Sequence, residues 1–446
     1  MPSFCASRVA SFNRIPSIST PLHRKMSEET SNRRTSLTRA THKRAGLFEK
    51  FFVGQMQSIQ RGALEISTDH GQWQFGEEGS DAFKASIIVN HSSFFRKACL
   101  GGSLGAADSY AKGDWESKDL VALFRLFLQN LDVLDGMETG LAKILNKFAR
   151  WAYEIGYRNT VKGSRRNISL HYDLGNEFFE LMLDPTMTYS CALFESPEAT
   201  LEEAQIAKYD RILDQLEVEK GHHLLEIGTG WGGLAIRAAE KTGCQVTTTT
   251  ISEKQREFAQ ARVTERKLHD RIKIVKKDYR QLEGNYDRVV SIEMIEAVGH
   301  EYLPTYFSKI SQVLTQEGAA LIQAITMPDD RYARYLKKVD YVRARVFPGS
   351  CVPSLSAIRE AIAKASDMRL VGMQEIGKHY VRTLQKWRES FNTNLTKIRS
   401  LGYEEDFLRS WEYYLCYCEA GFKETYTGDL HLLLTKPNSA LSGSMP

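Results

Sequence analysis

A glycine-rich turn between a strand-like and a helix-like segment constrains the fold of this chain more than any other feature. Residues 223–227 form a short apolar strand pattern, the next six residues contain four glycines, and helical spacing runs from Leu234 to Lys241. Further strand patterns follow at residues 244–250, 272–275, 288–292 and 319–325, and a helix pattern lies at residues 254–267. Repeated β-α-β units of this kind predict an α/β fold with a doubly wound, mostly parallel sheet.

The same turn is the strongest candidate for a ligand site. Glycines let a ligand approach the backbone closely, and the N-terminus of the following helix favours negative charge. Glu226 precedes the first glycine by two residues, which is typical of S-adenosylmethionine sites. The next strand ends in four threonines instead of the acid that binds ribose in NAD enzymes. Thr250 and Gln255 are candidates for that hydrogen bonding, and Tyr279 is a candidate for stacking on adenine. A tight turn without a ligand is the alternative.

Five motifs together resemble one known family. They are His171-Tyr-Asp-Leu-Gly-Asn176, Leu183-Asp-Pro-Thr-Met-Thr-Tyr-Ser-Cys-Ala192, Leu225-Glu-Ile-Gly-Thr-Gly-Trp-Gly-Gly233, Ile295-Glu-Ala-Val-Gly-His-Glu301 and Phe347-Pro-Gly-Ser-Cys-Val-Pro-Ser354. The set is similar to the cyclopropane-fatty-acyl-phospholipid synthases and the mycolic acid methyltransferases over residues 60–435, and the fourth motif is similar to the eukaryotic branch. The resemblance implies a class I methyltransferase fold with a smaller N-terminal α+β accessory domain.

The family's reaction transfers a methylene from S-adenosylmethionine to the cis double bond of an unsaturated phospholipid acyl chain. The resemblance implies a carbocation that a bound bicarbonate ion deprotonates so that a cyclopropane ring closes. The residues that match the family's cofactor site are Tyr189, Ser190, Leu224, Leu225, Glu226, Ile227, Gly228, Thr229, Gly230, Trp231, Gly232, Thr250, Ile251, Ser252, Gln255, Tyr279 and Arg280. No metal ligand set is expected.

The bicarbonate site is carried over from the family residue by residue. Glu296, Tyr380 and Cys191 match its glutamate, tyrosine and cysteine, whereas Gln323 stands where bacterial members have histidine. Glutamine keeps hydrogen bonding to an anion but cannot carry a proton at neutral pH. Without the family, Glu296 would be read as a surface acid at the start of a helix.

Cys418 matches the cysteine often assigned as the family's active-site residue. In this reaction the alkene is the nucleophile, so no thiolate is required. A free cysteine in an aromatic helix is more often a small core residue. Both interpretations of Cys418 stay open at this point.

Charge and composition divide the chain into three parts. Residues 1–45 hold nine basic and two acidic residues and so carry a net charge of +7. The whole chain carries +4, so the remainder is slightly acidic. They are expected to be a disordered tail, with a mitochondrial or plastid targeting segment as the alternative. Residues 46–140 are expected to form the accessory domain, and residues 141–446 the catalytic domain. Seven scattered cysteines without metal-site spacing indicate a reducing, cytoplasmic compartment.

A basic and aromatic run is the candidate membrane contact. It contains Arg331, Tyr332, Arg334, Tyr335, Lys337, Lys338, Tyr341, Arg343, Arg345 and Phe347. Such a run favours peripheral binding to a phospholipid bilayer, although a solvated helix face gives the same pattern. No nucleic-acid partner is expected, and a homodimer is one assembly that the sequence allows. The alternative functions are a methyltransferase of the same fold acting on a small-molecule amine or giving a methyl-branched chain, and an inactive lipid-binding protein.

Overall fold

A seven-stranded sheet forms the centre of the catalytic part. The computed structural model describes residues 46–77, 84–133, 156–161, 163–164, 166–167 and 174–441. The sheet contains β5 (His223–Ile227), β6 (Gln245–Thr249), β7 (Ile272–Val275), β8 (Tyr286–Ile292), β9 (Leu314–Thr326), β10 (Arg369–Glu375) and β11 (Gly428–Thr435). The spatial order is β10-β11-β9-β8-β5-β6-β7, and only the pairs that involve β10 or β11 are antiparallel. The predicted doubly wound, mostly parallel sheet is therefore confirmed.

The order of the strands in the sheet reverses between β5 and β8, and this reversal fixes where a ligand site can form. β6 and β7 continue the sheet on one side of β5, whereas β8 and β9 continue it on the other. The loops that leave β5 and β8 therefore diverge, and open α/β sheets bind ligands in the crevice between such loops. The two loops carry the glycine turn and the segment around Glu296.

Helices cover both faces of this sheet, and further helices belong to the N-terminal region. They are α1 (Leu47–Met56), α2 (Ser93–Ala111), α3 (Leu120–Gln129), α4 (Asn176–Glu180), α5 (Leu201–Gln215), α6 (Gly233–Thr242), α7 (Glu253–Glu265), α8 (Leu303–Val313), α9 (Asp329–Tyr335), α10 (Leu355–Ala365), α11 (Gly377–Thr393), α12 (Leu395–Ser400) and α13 (Glu405–Lys423). Short 3₁₀ turns at Tyr279–Gln281, Ile295–Ala297 and His300–Tyr302 follow β7 and β8. A π-helical turn covers Val342–Val346.

The N-terminal region has its own small sheet and shares a core with α13. The strands β1 (Ala63–Ser67), β2 (Gln72–Gly76), β3 (Lys84–Val89) and β4 (Trp115–Glu116) pair in the order β2-β1-β3-β4. The Tyr413 ring lies 4.7 Å from the ring of Phe124 and 5.5 Å from that of Tyr110, measured between centroids. This aromatic contact joins α2 and α3 to the catalytic part through one continuous apolar core.

Several predicted elements need correction at their edges. The glycines of the Gly101–Gly105 segment predict a turn, but the segment lies inside α2, where Gly102 takes φ 57° and ψ −142° and kinks the helix. β9 begins at Leu314, five residues before the predicted start; residues 315–317 are polar and partly or fully exposed, so they interrupt the apolar pattern on which the prediction was based. The sequence also predicts a helix from Leu141 to Tyr157, and this segment lies almost wholly outside the described residues. The boundary at 140/141 and residues 1–45 also lie outside them.

Within the part of the chain that the structure describes, no helix is both long enough and apolar enough to span a bilayer.

Candidate active site

One large cavity connects the glycine turn to the N-terminal region. Its volume is about 1580 Å³, and its wall includes the loops after β5 and β8, residues of α13, and apolar side chains of α2 and α3. Ligand cavities commonly measure roughly 300–1,000 Å³, so this one has room for more than one small ligand. The accessory region and the glycine turn therefore line the same cavity.

The glycine turn has the backbone conformation that its residues predict. Gly228, Gly230 and Gly232 have φ values of 107°, 51° and 89°, which side-chain-bearing residues rarely adopt. An added Cβ at Gly230 would meet no atom of the described residues within 4 Å, its chain neighbours aside, and Gly230 lines the cavity. The turn thus presents backbone to open space at the N-terminus of α6.

Threonine hydroxyls hold the turn and its preceding acid in place. The Thr248 hydroxyl donates to Glu226 Oε2 at 2.5 Å, and Thr229 Oγ1 lies 2.7 Å from Thr248 Oγ1. Burial raises the pKa of Glu226 to about 8. The backbone N–H groups of Gly228 and Thr229 both donate to the Thr249 carbonyl oxygen. Glu226 is buried, and its polar side chain forms part of the cavity wall.

The segment expected at the ribose also reaches the cavity. Thr250 Oγ1 donates to Gln255 Oε1 at 2.9 Å, and both residues line the cavity together with Ile251. Ser252 instead caps α7, where its hydroxyl accepts from the Gln255 N–H. Tyr279 lines the cavity after β7, and its hydroxyl has no hydrogen-bond partner among the described residues.

The structure separates the expected cofactor residues into two groups. Those that line the cavity are Tyr189, Ser190, Glu226, Ile227, Gly228, Thr229, Gly230, Trp231, Thr250, Ile251, Gln255 and Tyr279. Those that do not are Leu224, Leu225, Gly232, Ser252 and Arg280. Both leucines are fully buried in the apolar cores that flank β5.

Gly232 and Arg280 lie outside the wall for different reasons. A Cβ at Gly232 would lie 3.2 Å from the Ala259 side chain, so this glycine allows the turn to pack on α7. Arg280 pairs with Asp278 at 2.7 Å and donates to the Asn159 carbonyl oxygen at 2.9 Å. These residues shape the site without facing its space.

A glutamate that the sequence analysis did not single out lies at the end of β8. Glu293 Oε1 accepts from the Cys191 N–H at 2.7 Å and from Gln323 Nε2 at 2.9 Å. Its Oε2 accepts from the Tyr380 hydroxyl at 2.6 Å. Glu293 also lines the cavity. The only sequence signal for it is its position, because an acid directly after a buried parallel strand lies at the ligand-binding edge of the sheet.

Cys191 and Gln323 meet at Glu293 but do not line the cavity. Cys191 is fully buried; its thiol donates to the Ile376 carbonyl oxygen at 3.6 Å, and burial raises its pKa. Gln323 also donates to Asp429 Oδ2 at 2.9 Å. We therefore correct the expectation that these two side chains contact a ligand, because their polar atoms are used inside the protein.

Glu296 does line the cavity, and one of its oxygens has no partner. It is 8% exposed, Oε1 accepts from the Ile325 N–H at 2.6 Å, and Oε2 has no hydrogen-bond partner among the described residues. Burial, followed by the nearby charge of Glu293, raises the pKa of Glu296 to about 8. Glu296 is therefore mostly protonated at neutral pH.

Cys418 faces the cavity from α13. Burial raises the pKa of its thiol, so the thiolate is scarce near neutral pH. Of the two interpretations, the structure favours an apolar wall residue.

A buried polar layer supports the site from behind. Lys208 is fully buried; it donates to Ser190 Oγ at 2.6 Å, and burial lowers its pKa to about 8. Asp429 is also fully buried, and burial together with the charge of Glu293 raises its pKa. His431, two residues further along β11, lies 3.3 Å from Gln323 Oε1. None of these three residues was predicted from the sequence, although ionisable residues within otherwise apolar segments were a signal.

The basic and aromatic run is folded differently from the expectation. Tyr332, Tyr335 and Tyr341 are buried, and Arg343 lies over the Tyr335 ring at 5.3 Å. These three aromatic side chains pack into the protein, whereas the membrane contact of the run stays a prediction. The cationic residues Arg331, Arg334, Lys337, Lys338, Arg343 and Arg345 line the cavity.

Comparisons with known proteins agree with this geometry. The family described as mycolic acid cyclopropane synthetase matches residues 159–432. The tuberculostearic acid methyltransferase UfaA1 of Mycobacterium tuberculosis is 39% identical over 355 residues, which cover 78% of this chain and 82% of that protein. The cyclopropane-fatty-acyl-phospholipid synthase of Escherichia coli is 34% identical over 350 residues, which cover 76% and 85%.

Solved structures give the same assignment. The cyclopropane synthase MmaA2 from Mycobacterium tuberculosis has a TM-score of 0.58 at 31% identity, covering 61% of this chain and 98% of its own. The mycolic acid cyclopropane synthase CmaA1, solved with S-adenosylhomocysteine (SAH) and CTAB, has a TM-score of 0.57 at 33% identity with the same coverage. The chain therefore belongs to the mycolic acid cyclopropane synthetase family and is an S-adenosylmethionine-dependent methyltransferase.

Proposed function

We propose that this protein transfers the methyl carbon of S-adenosylmethionine to the cis double bond of an unsaturated phospholipid acyl chain and closes a cyclopropane ring. The observation that carries the proposal is the single cavity that joins the glycine turn to an apolar wall. The apolar wall includes Leu123, Phe124, Phe127 and Leu128 of α3. An acyl chain is the ligand that such a wall favours, since burial of apolar surface drives its binding.

Aromatic side chains in the wall of the cavity can stabilise a carbocation. Tyr189, Tyr380 and Tyr414 line it, and the hydroxyls of Tyr189 and Tyr414 are 3.0 Å apart. The Tyr380 ring stacks on Phe422 with centroids 4.3 Å apart. Aromatic faces stabilise positive charge, and a wall of this kind excludes water that would trap the cation.

The electron balance of the reaction defines what the site must do. The alkene π pair forms a bond to the methyl carbon, and the sulfonium C–S pair leaves with sulfur as S-adenosylhomocysteine. A base then removes one proton from the transferred methyl group, and the released pair closes the ring onto the cationic carbon. Both steps require the sulfonium and the base to face the same point of the chain.

Cationic side chains support a phospholipid as the acyl carrier. Arg331, Arg334 and Lys338 belong to the wall of the same cavity, and Arg331 Nη1 is buried without a hydrogen-bond partner among the described residues. Guanidinium groups bind phosphate oxygens in fixed geometry. Contact with the surface of a bilayer would let the acyl chain enter, and peripheral association and a homodimer stay predictions.

A methyl-branched chain is the second candidate product. The relative with 39% identity is named for tuberculostearic acid, which favours this candidate. A saturated branch needs an external hydride donor in addition to the methyl group, whereas ring closure needs only a base. A small-molecule amine acceptor has weaker support, since the coclaurine N-methyltransferase structure is 22% identical and shows the fold alone.

The test uses S-adenosylmethionine labelled in its methyl group and vesicles of a cis-monounsaturated phospholipid. We expect the acyl chain to gain the mass of one methylene and to lose its double bond without any added reductant. Gly230→Val, which fills the cofactor space, is the matched inactive control. A saturated methyl branch that requires a hydride donor would favour the second candidate, and no labelled lipid would reject both.

A further inference from the structure

We infer that the carboxylate of Glu293 is the general base of this enzyme and stands where the family places a bicarbonate ion. The inference rests on the proposed function, because it assigns the proton acceptor of that reaction. It differs from the family expectation in that the base belongs to the chain itself.

The hydrogen-bond donors around Glu293 carry the argument. Three groups converge on its two oxygens, namely the Cys191 N–H at 2.7 Å, Gln323 Nε2 at 2.9 Å and the Tyr380 hydroxyl at 2.6 Å. Hydrogen bonds to a charged acceptor are the strong ones, and three of them favour the ionised carboxyl group. The three donors therefore oppose the rise in pKa that burial imposes on Glu293, and they hold its two oxygens in fixed positions.

The same three residues are those that the family resemblance assigns to bicarbonate. Because their donors already point to the Glu293 oxygens, they do not fit a free bicarbonate ion at that place. A bicarbonate ion there would find these three donors already engaged and would lie against the Glu293 carboxyl group, and like charges in a buried site repel strongly. The chain therefore supplies the two oxygens that the ion would otherwise supply.

The backbone places Glu293 for this role. Its φ is +45°, in the left-handed region that residues other than glycine rarely adopt, and its N–H donates to the Gln323 carbonyl oxygen at 2.9 Å. A strained residue of this kind persists where the surroundings fix it, and such residues cluster at functional sites. The bend turns the side chain at the end of β8 into the cavity that the glycine turn also lines.

Glu296 is less suited to be the base, although it faces the same cavity. The Ile325 N–H donates to its Oε1, its Oε2 has no hydrogen-bond partner among the described residues, and burial raises its pKa to about 8. Burial, followed by the charge of Glu293, raises the pKa of Asp429, which lies next to Glu293. Burial raises the pKa of Glu293 itself, and the hydrogen bonds from Tyr380 and the Cys191 N–H, followed by the charge of Lys208, oppose that shift. Glu293, which accepts three hydrogen bonds and lines the cavity, is thus the best placed proton acceptor of the three neighbouring acids.

In the step that we assign to it, one Glu293 oxygen takes a proton from the methyl group that has just joined the chain. The C–H bond breaks, its electron pair forms the third side of the ring, and the positive charge on the adjacent carbon disappears. The proton then leaves through Glu293 to solvent when the product is released. No oxidant, reductant or free ion takes part.

The experiment compares the wild type with two variants in buffer depleted of bicarbonate, using the phospholipid assay above. Glu293→Gln keeps the shape and removes the proton acceptor, so we expect turnover to fall by about 10²–10⁴-fold. Glu293→Gly accepts the positive φ and leaves the three donors facing an empty space, so added bicarbonate or formate should restore part of the activity. The wild type should be insensitive to bicarbonate.

Two controls separate the base from the fold and from the function. Calorimetry should show that both variants bind S-adenosylhomocysteine as the wild type does. Glu301→Gln, a change at an exposed acid paired with Arg158, should leave turnover unchanged. A wild type that loses activity without bicarbonate, or a Glu293→Gln variant with near-full turnover, overturns the inference while the proposed function stands. A wild type that modifies no lipid rejects the function and the inference with it.

Discussion

Tyr380→Phe isolates one hydrogen bond to the proposed base. The Tyr380 hydroxyl donates to Glu293 Oε2 at 2.6 Å, and phenylalanine keeps the ring that stacks on Phe422. A hydrogen bond to a charged group contributes about 1.5–3 kcal/mol, and one pKa unit corresponds to about 1.4 kcal/mol. Loss of the donor should therefore raise the pKa of Glu293 by about one to two units.

The sign of this shift decides how activity depends on pH. The base must be ionised to accept a proton, so activity rises with pH as Glu293 loses its own proton. A higher pKa moves the acid limb of the kcat/KM profile upward by the same one to two units, and activity at high pH recovers. Burial raises the pKa of Tyr380 itself well above its usual value, so its hydroxyl stays a donor throughout the assay.

The assay is kcat/KM between pH 5 and 9 with labelled cofactor and phospholipid vesicles. Tyr414→Phe is the matched control, since its hydroxyl pairs with Tyr189 and not with Glu293, and its acid limb should stay in place. The reasoning is refuted if Tyr380→Phe lowers activity equally at every pH, because the hydroxyl would then act on something other than the ionisation of Glu293.

Three further predictions address the cofactor, the core and the buried histidine. Gly230→Val places a branched side chain in the cofactor space, so calorimetry on folded protein should show no S-adenosylhomocysteine binding. Phe124→Ala removes a ring that packs 4.7 Å from Tyr413, so denaturant titration should show a loss of about 3–5 kcal/mol in the free energy of unfolding. Burial lowers the pKa of His431 to about 3, so the unfolded chain binds a proton below pH 6.5 that the folded protein does not. The contribution of His431 to the free energy of unfolding should fall by about 1.4 kcal/mol per pH unit from pH 6.5 towards 3. Unfolding of His431→Asn should take up about one proton fewer over this range, so its free energy of unfolding should depend less on pH.

The parts of the site that follow a local pattern were predictable from the sequence. The glycine turn lies directly between a strand and a helix, so its ligand-facing role can be inferred from consecutive residues. The Thr250–Gln255 pair is similarly local. The same locality explains the errors, since Leu224 and Leu225 adjoin the turn in sequence but point into the cores on either side of the sheet.

The environment of the proposed base could not be inferred in this way. Cys191, Glu293, Gln323 and Tyr380 lie on four separate segments, and only the packing of β8, β9 and α11 brings them together. The resemblance to the family identified three of them but assigned their donors to an ion. The side chain that accepts these hydrogen bonds can be identified only from the three-dimensional structure, which shows the donors and the acceptor together.

The edge of the sheet and the aromatic run show a similar limit. β10 alternates between exposed and partly buried residues and contains Gly372, so its pattern is weak and the strand was not predicted. The tyrosines at 332, 335 and 341 have the composition of a membrane surface, yet the fold turns them inward. Composition alone does not indicate which side of a segment faces the protein.

The most direct test of the account is the fate of the transferred methyl group. The purified protein is incubated with S-adenosylmethionine carrying a trideuterated methyl group and vesicles of a cis-monounsaturated phospholipid, in bicarbonate-depleted buffer without a reductant. The account predicts a phospholipid whose acyl chain has lost its double bond and gained a CD₂ ring carbon, with one deuteron lost to the base. A product that keeps all three deuterons, or that keeps a double bond, would contradict ring closure by deprotonation of the methyl group.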